Sequence, residues 1–366
     1  MNDAVTDIGI VDCDIHPNFR SPGDLAPFMT TRWQQHWREY GAHLRQGLSS
    51  TLAHPRMTPA VARADSWPPN GGPPGSDLAF MRSQHLDAYG IEHGMLMCLR
   101  PGGCDERNLD FGAALCRATN DWQIEAWVKQ EPRLSAGITI PQEDPAAAVA
   151  EIERCAGDRS FRVINMPPRM AEPPGRRRYW PIYEAAQAAG LPIGIHISGV
   201  PGHPSTSAGW PSFYMQEHHA NAQSMQAVVT SLIMEGVPER FPDLKFVLIE
   251  CGFAWAPSLG WRLDKLWQRM RNEVPHVKRP PSEYIRERFW YTTQPIQETE
   301  EPGHLREIID WIGWDRLLFS TDYPHWDFDD PRYTFRFQLT EFERRAIFRE
   351  NAQTVFALEI SPSSDT

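Results

Sequence analysis

The sequence predicts an α/β chain that closes as a (β/α)8, TIM-like barrel, and three observations carry that expectation. Eight short runs rich in β-branched and aromatic residues recur along the 366 residues. Amphipathic stretches separate most of them, the alternation that builds a buried parallel sheet. The ionisable residues that interrupt the apolar runs fall at the carboxyl ends of strands, where barrels of this kind gather their chemistry.

The elements follow in order. The first strand is expected at 9–15 (GIVDCDI), followed by a strandless segment over about 20–80 that is rich in Trp, His and Pro. Strands are expected next at 94–99, 134–140 and 161–166, with helical patterns at 111–130 and 145–156. The pattern at 180–190 ends on Gly190, the residue type that best adopts the left-handed turn after a helix. A fifth strand, PIGIHI (192–197), precedes a second strandless segment at about 199–218 and a helix at 221–236. LKFVLIE (244–250), a helix at 258–273, FWYTTQ (289–294) and LLFSTDY (317–323) complete the set. No G-x-G-x-x-G or G-x-x-x-x-G-K-[ST] follows any strand, which weighs against an open nucleotide-binding sheet. The whole chain, 1–366, is read as one domain, with the two strandless segments as loop insertions after strands 1 and 5.

Composition narrows the function classes. Hydrophobic residues make up 41%, enough for a large core, and the net charge of −11 opposes general nucleic-acid binding, which needs a basic face. No apolar run is long enough to span a bilayer. The start, MNDAVTDIGIVDCDIH, lacks the basic and apolar blocks of a secretory leader. The six cysteines are scattered without a C-x-x-C pair, so reduced thiols and a cytoplasmic location are expected. The expected partners are a small-molecule substrate and further copies of the chain or a paralogous barrel, with neither nucleic acid nor membrane.

The chemistry concentrates at four strand ends, those of strands 1, 5, 6 and 8. Asp12, Asp14 and His16 are spaced by two and so share one face of a strand that should be aliphatic if it only packed. Buried acids and imidazoles need a partner, and a metal ion supplies one; a solvent-facing polar stripe on an edge strand is the alternative. His196 ends strand 5, Glu250 ends strand 6 and Asp322 ends strand 8. Taken singly, His196 reads as a hydrogen-bonded core residue, Glu250 as an ion-pair partner of Arg262 or Arg240, and Asp322 as a helix cap. In a barrel all of these ends converge on one mouth. Asp14, His16, His196, Glu250 and Asp322 are therefore the candidate metal ligands. Of the pair His218 and His219, His219 is the candidate general base, and Asp322 the second catalytic group. His325 and Trp326 are candidate substrate contacts. Arg176, Arg177 and Arg178 read as a solvated basic run, and Cys251 as a structural thiol.

At these residues the chain resembles the amidohydrolase superfamily, in the branch of the aminocarboxymuconate-semialdehyde, γ-resorcylate and 5-carboxyvanillate decarboxylases. D-C-D-I-H at strand 1, I-H-I-S at strand 5, G-V-P-E-R-F-P-D-L-K-F before strand 6 and F-S-T-D-Y-P-H-W-D at strand 8 carry the likeness over almost the whole chain. The resemblance implies a barrel with a divalent metal in its mouth, Asp14 and His16 as strand-1 ligands, His196 as the strand-5 ligand and Asp322 as the strand-8 acid. The chain departs from many members in having Asp14 where they carry a first histidine, and Glu250 where they carry a strand-6 histidine.

Two enzymatic readings follow. The first is metal-dependent decarboxylation or hydrolysis of a small carboxylated aromatic molecule, with Asp322 moving the proton. The second is an iron- or iron/manganese-dependent oxygenase (hydroxylase), because three carboxylates with two imidazoles form an oxygen-rich set. The ion is expected to be Zn, Mn or Fe, one or two per chain. In the two-ion case Glu250 bridges and His219 completes the second site. A non-catalytic partner subunit is disfavoured, since unpaired buried acids would destabilise it.

Overall fold

The computed structural model describes residues 8–43, 59–99, 103–104, 106–197 and 204–360. Eight strands form one sheet in chain order, each neighbour parallel to the last: β1 (Ile10–Ile15), β2 (Ile91–Leu96), β3 (Leu134–Thr139), β4 (Phe161–Met166), β5 (Ile193–His196), β6 (Phe246–Ile249), β7 (Phe289–Thr292) and β8 (Leu317–Leu318). The sheet returns on itself. Cys13 N donates to Phe319 O (3.0 Å), His16 N donates to Tyr323 O (2.8 Å), and Ile15 bridges Tyr323 in parallel.

The period-two pattern of the strands explains the two cores. Val11, Cys13, Met95, Met97, Val163 and Val247 belong to one buried cluster. Their strand neighbours Ile10, Leu96, Ile164, Phe246 and Leu248 belong to a second, larger one shared with the helices. Alternate residues therefore fill the barrel and seat the helices on its outside.

The long helices lie near their predicted positions. Leu109–Gln123 continues through a π-turn at Ile124–Val128, Pro145–Cys155 has the Asp144 cap, and Trp180–Ala189 ends on Gly190 at φ 67°. The helix after β5 runs Tyr214–Met234, starting earlier than the sequence indicates. Gln216 Oε1 accepts from the Ser212 and Phe213 N–H groups (both 3.1 Å), a local cap that draws the helix start into the predicted loop. Strand 8 is shorter than predicted. Only Leu317–Leu318 ladder with β7, because Phe319–Tyr323 turn away to close onto β1.

The segment after β1 holds short helices at Pro22–Phe28 and Thr31–Tyr40 and no strand among its described residues. It lies against the β8 loop: Arg63 N donates to Pro324 O (3.0 Å) and Trp326 N to Val61 O (2.8 Å). Gly75 makes this approach possible. It has φ 76°, and a Cβ there would stand 2.4 Å from His16 O. Residues 44–58 and 198–203, within the two predicted insertions, lie outside the described residues. No helix among the described residues is long and apolar enough to cross a membrane. Cys13, Cys155 and Cys251 are buried free thiols.

One buried acid outside the barrel mouth sets an acid-side stability limit. Glu131 accepts from Arg82 Nε (2.7 Å) and Arg133 Nε (2.9 Å), and the Arg133 bond first of all holds its carboxyl at about 2, below the usual glutamate range. With the folded value depressed, its stabilisation is complete above the ordinary glutamate pKa and is lost as pH falls through about 2. The melting-temperature gap between wild type and Glu131→Gln is therefore expected to narrow steadily as pH falls from about 5 toward 2. A gap that is constant across this window contradicts the assignment.

Candidate metal centre

Five of the predicted residues meet at the carboxyl end of the barrel. Asp14, from β1, is fully buried, and neither carboxylate oxygen has a hydrogen-bond partner among the described residues. His16 follows the end of β1. Its Nδ1 pairs with Met97 O (2.8 Å), which assigns the proton to Nδ1 and turns the lone pair of Nε2 inward. That Nε2 lies 3.4 Å from Asp14 Oδ1 and 2.8 Å from Asp322 Oδ1. His196 ends β5; Nδ1 is engaged by Ile197 O. Its Nε2 lies 3.4 Å from Asp14 Oδ2 and 3.1 Å from Glu250 Oε2, but makes no hydrogen bond.

Glu250 and Asp322 stand just past β6 and β8 with φ 55° and 63°. Side-chain-bearing residues enter this left-handed region at a cost, and the surroundings enforce it here. Thr292 Oγ1 accepts from Glu250 N (3.0 Å), and Asp322 O accepts from His325 N (2.8 Å). The resulting turns direct both carboxylates to the cluster. Ligand atoms of Asp14, His16, His196 and Glu250 all lie within 4.8 Å of one another, as do those of His16, Glu250, Asp322 and His325.

The electrostatics of the cluster suit a bound cation. Burial disfavours the Asp14 carboxylate, but His16 and His196 outweigh it and hold the acid below its ordinary range. Burial likewise disfavours a charged His196, yet Asp14 and Glu250 raise it to about 10. Burial lifts Glu250 to about 7 against the pull of His196, and burial with the charges of Glu250, Asp327 and Asp14 lifts Asp322 well above the carboxylate range. In the bare protein, protons thus compensate the crowded acids. A divalent ion can displace those protons and engage the orphaned Asp14 oxygens and His196 Nε2, so the donor set fits a metal.

The remaining predicted residues sit around this cluster. His325 Nδ1 is 2.6 Å from Asp322 Oδ1, and its ring stacks on His16 with centroids 4.4 Å apart. Trp326 is on the rim, 42% exposed, and donates from Nε1 to Tyr214 OH (3.2 Å). His219 is exposed and joins none of the metal-sized groups among the described residues. One position along a helix is a turn of about 100°, so only one of the two histidines can face the mouth. It is His218, with Nε2 3.1 Å from Asp327 Oδ2. Arg240 and Arg262 are exposed, and among the described residues Glu250 pairs with neither. Arg176 and Arg178 pair with acids outside the mouth, and Arg177 lies over Trp180. Burial and then Glu250 push the Cys251 thiol up, away from the thiolate that a nucleophile needs.

Three participants were not singled out from the sequence. Asp327 joins His218 and Glu250 in a third metal-sized group. Gln294 Nε2 donates to both Asp322 Oδ2 (3.2 Å) and Asp327 Oδ2 (3.1 Å). His85 accounts for Asp12, which does not join the cluster. Asp12 Oδ2 takes His85 Nε2 (2.8 Å) and Thr321 Oγ1 (2.6 Å), and Asp12 Oδ1 takes Thr321 N (3.0 Å). This fully buried knot ties β1 to the β8 loop, directly behind Asp14 and Asp322. Asp12→Ala strands these donors without an acceptor and is expected to cost about 1–3 kcal/mol of stability, read by urea unfolding. A loss below about 0.5 kcal/mol contradicts the role, being the size of an ordinary surface change.

Comparison with known proteins finds relatives that share this fold. A γ-resorcylate decarboxylase of Polaromonas sp. (strain JS666) is 28% identical over 292 residues, covering 77% of this chain and 88% of the relative. The crystal structure of a dihydroxybenzoic acid decarboxylase from Polaromonas sp. JS666, with bound manganese and the inhibitor 2-nitroresorcinol, superposes with TM-score 0.69 at 24% identity, covering 98% of this chain and 99% of that one. A 5-carboxyvanillate decarboxylase from Sphingomonas paucimobilis gives TM-score 0.70 at 23% identity, covering 96% and 99%. The amidohydrolase family model matches residues 11–358, from within β1 to beyond β8, and the chain belongs to that family.

Proposed function

We propose that this chain is a manganese-dependent, non-oxidative decarboxylase of a small hydroxylated aromatic carboxylic acid. The observation that carries the reading is the buried Asp14 carboxylate and His196 Nε2, polar atoms without hydrogen-bond partners at the mouth of the barrel. Support comes from the decarboxylase relatives and from the carboxylate-rich donor set, which suits Mn²⁺ better than Zn²⁺. When bound, such an ion supplies charge neutralisation and Lewis-acid orientation of an anionic aromatic acid.

In this reading Asp14, His16 and His196 hold the ion, and Asp322 delivers a proton from its carboxyl to the ring carbon that bears the substrate carboxylate. The ring-to-carboxylate bond then breaks, its electron pair restores the aromatic ring, and carbon dioxide leaves. His325, 2.6 Å from Asp322 and part-exposed, returns a proton to Asp322 from solvent. His218 takes the mouth-facing place in which the sequence put His219. Trp326, Tyr214 and His218 form an aromatic wall beside the opening, with ring centroids 5.7–6.2 Å apart.

The test is turnover of 2,6-dihydroxybenzoate and 5-carboxyvanillate by manganese-loaded protein in D₂O, with and without oxygen. The expected result is carbon dioxide release that is indifferent to oxygen, with one deuteron at the vacated ring position. Consumption only in the presence of oxygen, with a hydroxylated product, would overturn the reading in favour of the oxygenase.

A further inference from the structure

We propose that the Tyr214 hydroxyl is a substrate-recognition donor that hydrogen-bonds an oxygen on the ring of the bound aromatic acid, held in place by the indole of Trp326; this rests on the decarboxylase reading above. Tyr214 opens the helix Tyr214–Met234, and Trp326 lies on the loop after β8, four residues past Asp322. Tyr214 and His218 are four positions apart, so their side chains share one helix face. His218 marks where that face looks. Its Nε2 is 3.1 Å from Asp327 Oδ2, and both residues join Glu250 in one group of atoms within 4.8 Å of one another. The Tyr214 ring centroid is 5.7 Å from that of His218 and 6.2 Å from that of Trp326, which places the phenol at the mouth beside the acids.

The bond between Trp326 and Tyr214 decides how the phenol can act. An indole N–H only donates, so in the 3.2 Å contact the Tyr214 oxygen is the acceptor. The O–H of Tyr214 is left over, and among the described residues it has no acceptor. The indole is itself held, because Trp326 N donates to Val61 O (2.8 Å) on the segment after β1. Burial pushes the phenol up to about 12, with the Trp326 bond opposing and the charges of Asp327, Glu250 and Asp322 assisting. The proton therefore stays on at neutral pH, and the three acids of the mouth all act on the group that carries it.

A held O–H with an unused proton, at the wall of this mouth, calls for an acceptor on the ligand. In the reading above the ion takes the anionic end of the substrate. The acceptor left for Tyr214 is a ring oxygen: a phenolate, a hydroxyl or an ether. The rings of Trp326 and His218 flank the donor, 5.7 Å apart between centroids, and suit a planar aromatic body beside it. A donor placed for a substrate oxygen also rejects analogues that lack the oxygen, because it is then left unpaired. Tyr214 is thus the residue that reads the ring substituent, and Trp326 is a positioning residue that acts through it.

The test is calorimetric binding of 2-nitroresorcinol and 2-nitrophenol to full-length, manganese-loaded protein. These are non-reacting nitro isosteres of 2,6-dihydroxybenzoate and 2-hydroxybenzoate, and they differ by one ring hydroxyl. Wild type is expected to bind 2-nitroresorcinol about 10–100-fold more tightly, the range for one hydrogen bond to a charged oxygen. Tyr214→Phe keeps the ring and is expected to bring that preference to near unity by weakening 2-nitroresorcinol alone. Trp326→Phe keeps an aromatic wall without the N–H, and an intermediate preference is expected. A preference unchanged in Tyr214→Phe, or absent from wild type, overturns the recognition role while leaving the decarboxylase reading intact. The expected preferences without carbon dioxide release from 2,6-dihydroxybenzoate overturn the decarboxylase reading and keep the donor. No binding of either ligand to wild type overturns both.

Discussion

Manganese-loaded Asp322→Asn protein is expected to decarboxylate about 10²–10⁴-fold more slowly than wild type, with the loss in kcat rather than KM. Asparagine preserves the shape and an oxygen donor but has no acidic proton to give. The position is demanding. Asp322 is fully buried, sits in the left-handed backbone region at φ 63°, and is contacted by His16, His325 and Gln294. Few conformations other than the observed one are open to it, so the substitution tests chemistry rather than placement. Steady-state kinetics beside metal analysis of the same sample separates loss of the proton donor from loss of the ion. A variant within tenfold of wild type in kcat would show that the proton comes from another group.

His196→Ala is expected to weaken Mn²⁺ binding by at least about 100-fold while the chain stays folded. Even residues that only orient a ligand are worth about 10–100-fold in metal affinity, and a direct ligand is worth more. The contacts of His196 are Asp14, Glu250, the His16 ring edge-on at 4.9 Å and its own chain at Ile197. The barrel around it is stitched through eight strands. Calorimetric titration with Mn²⁺ and the melting temperature of the metal-free protein form the paired readout. Unchanged affinity removes His196 from the ligand set.

Most of the scaffold and the heart of the site were legible because both are written in local pattern. D-C-D-I-H breaks an aliphatic strand with residues spaced by two, and β1 presents Asp14 and His16 accordingly. Glu250 and Asp322 each end an apolar run, and strand ends converge wherever a barrel closes. What escaped depends on contacts between distant segments. Asp12 shares the spacing of Asp14 and His16, yet the β1–β2 register shifts between Asp12 and Ile15, and its carboxylate joins His85, 73 residues away. The choice of His218 over His219 depends on where the helix starts and how it rotates, which the Gln216 cap decides. Asp327 reads as a loop acid until the turn at Asp322 brings it beside Gln294 and His218. The truncation of β8 follows from barrel closure, a property of the whole sheet and not of the segment.

The proposed function stands on a divalent ion held by Asp14, His16 and His196 at the mouth of this barrel. The most direct measurement is an anomalous difference map from crystals soaked in Mn²⁺, collected on either side of the manganese edge. The expected result is a peak bounded by the Asp14 carboxylate, His16 Nε2 and His196 Nε2. A map with no peak there, in protein that binds Mn²⁺ elsewhere or not at all, contradicts it.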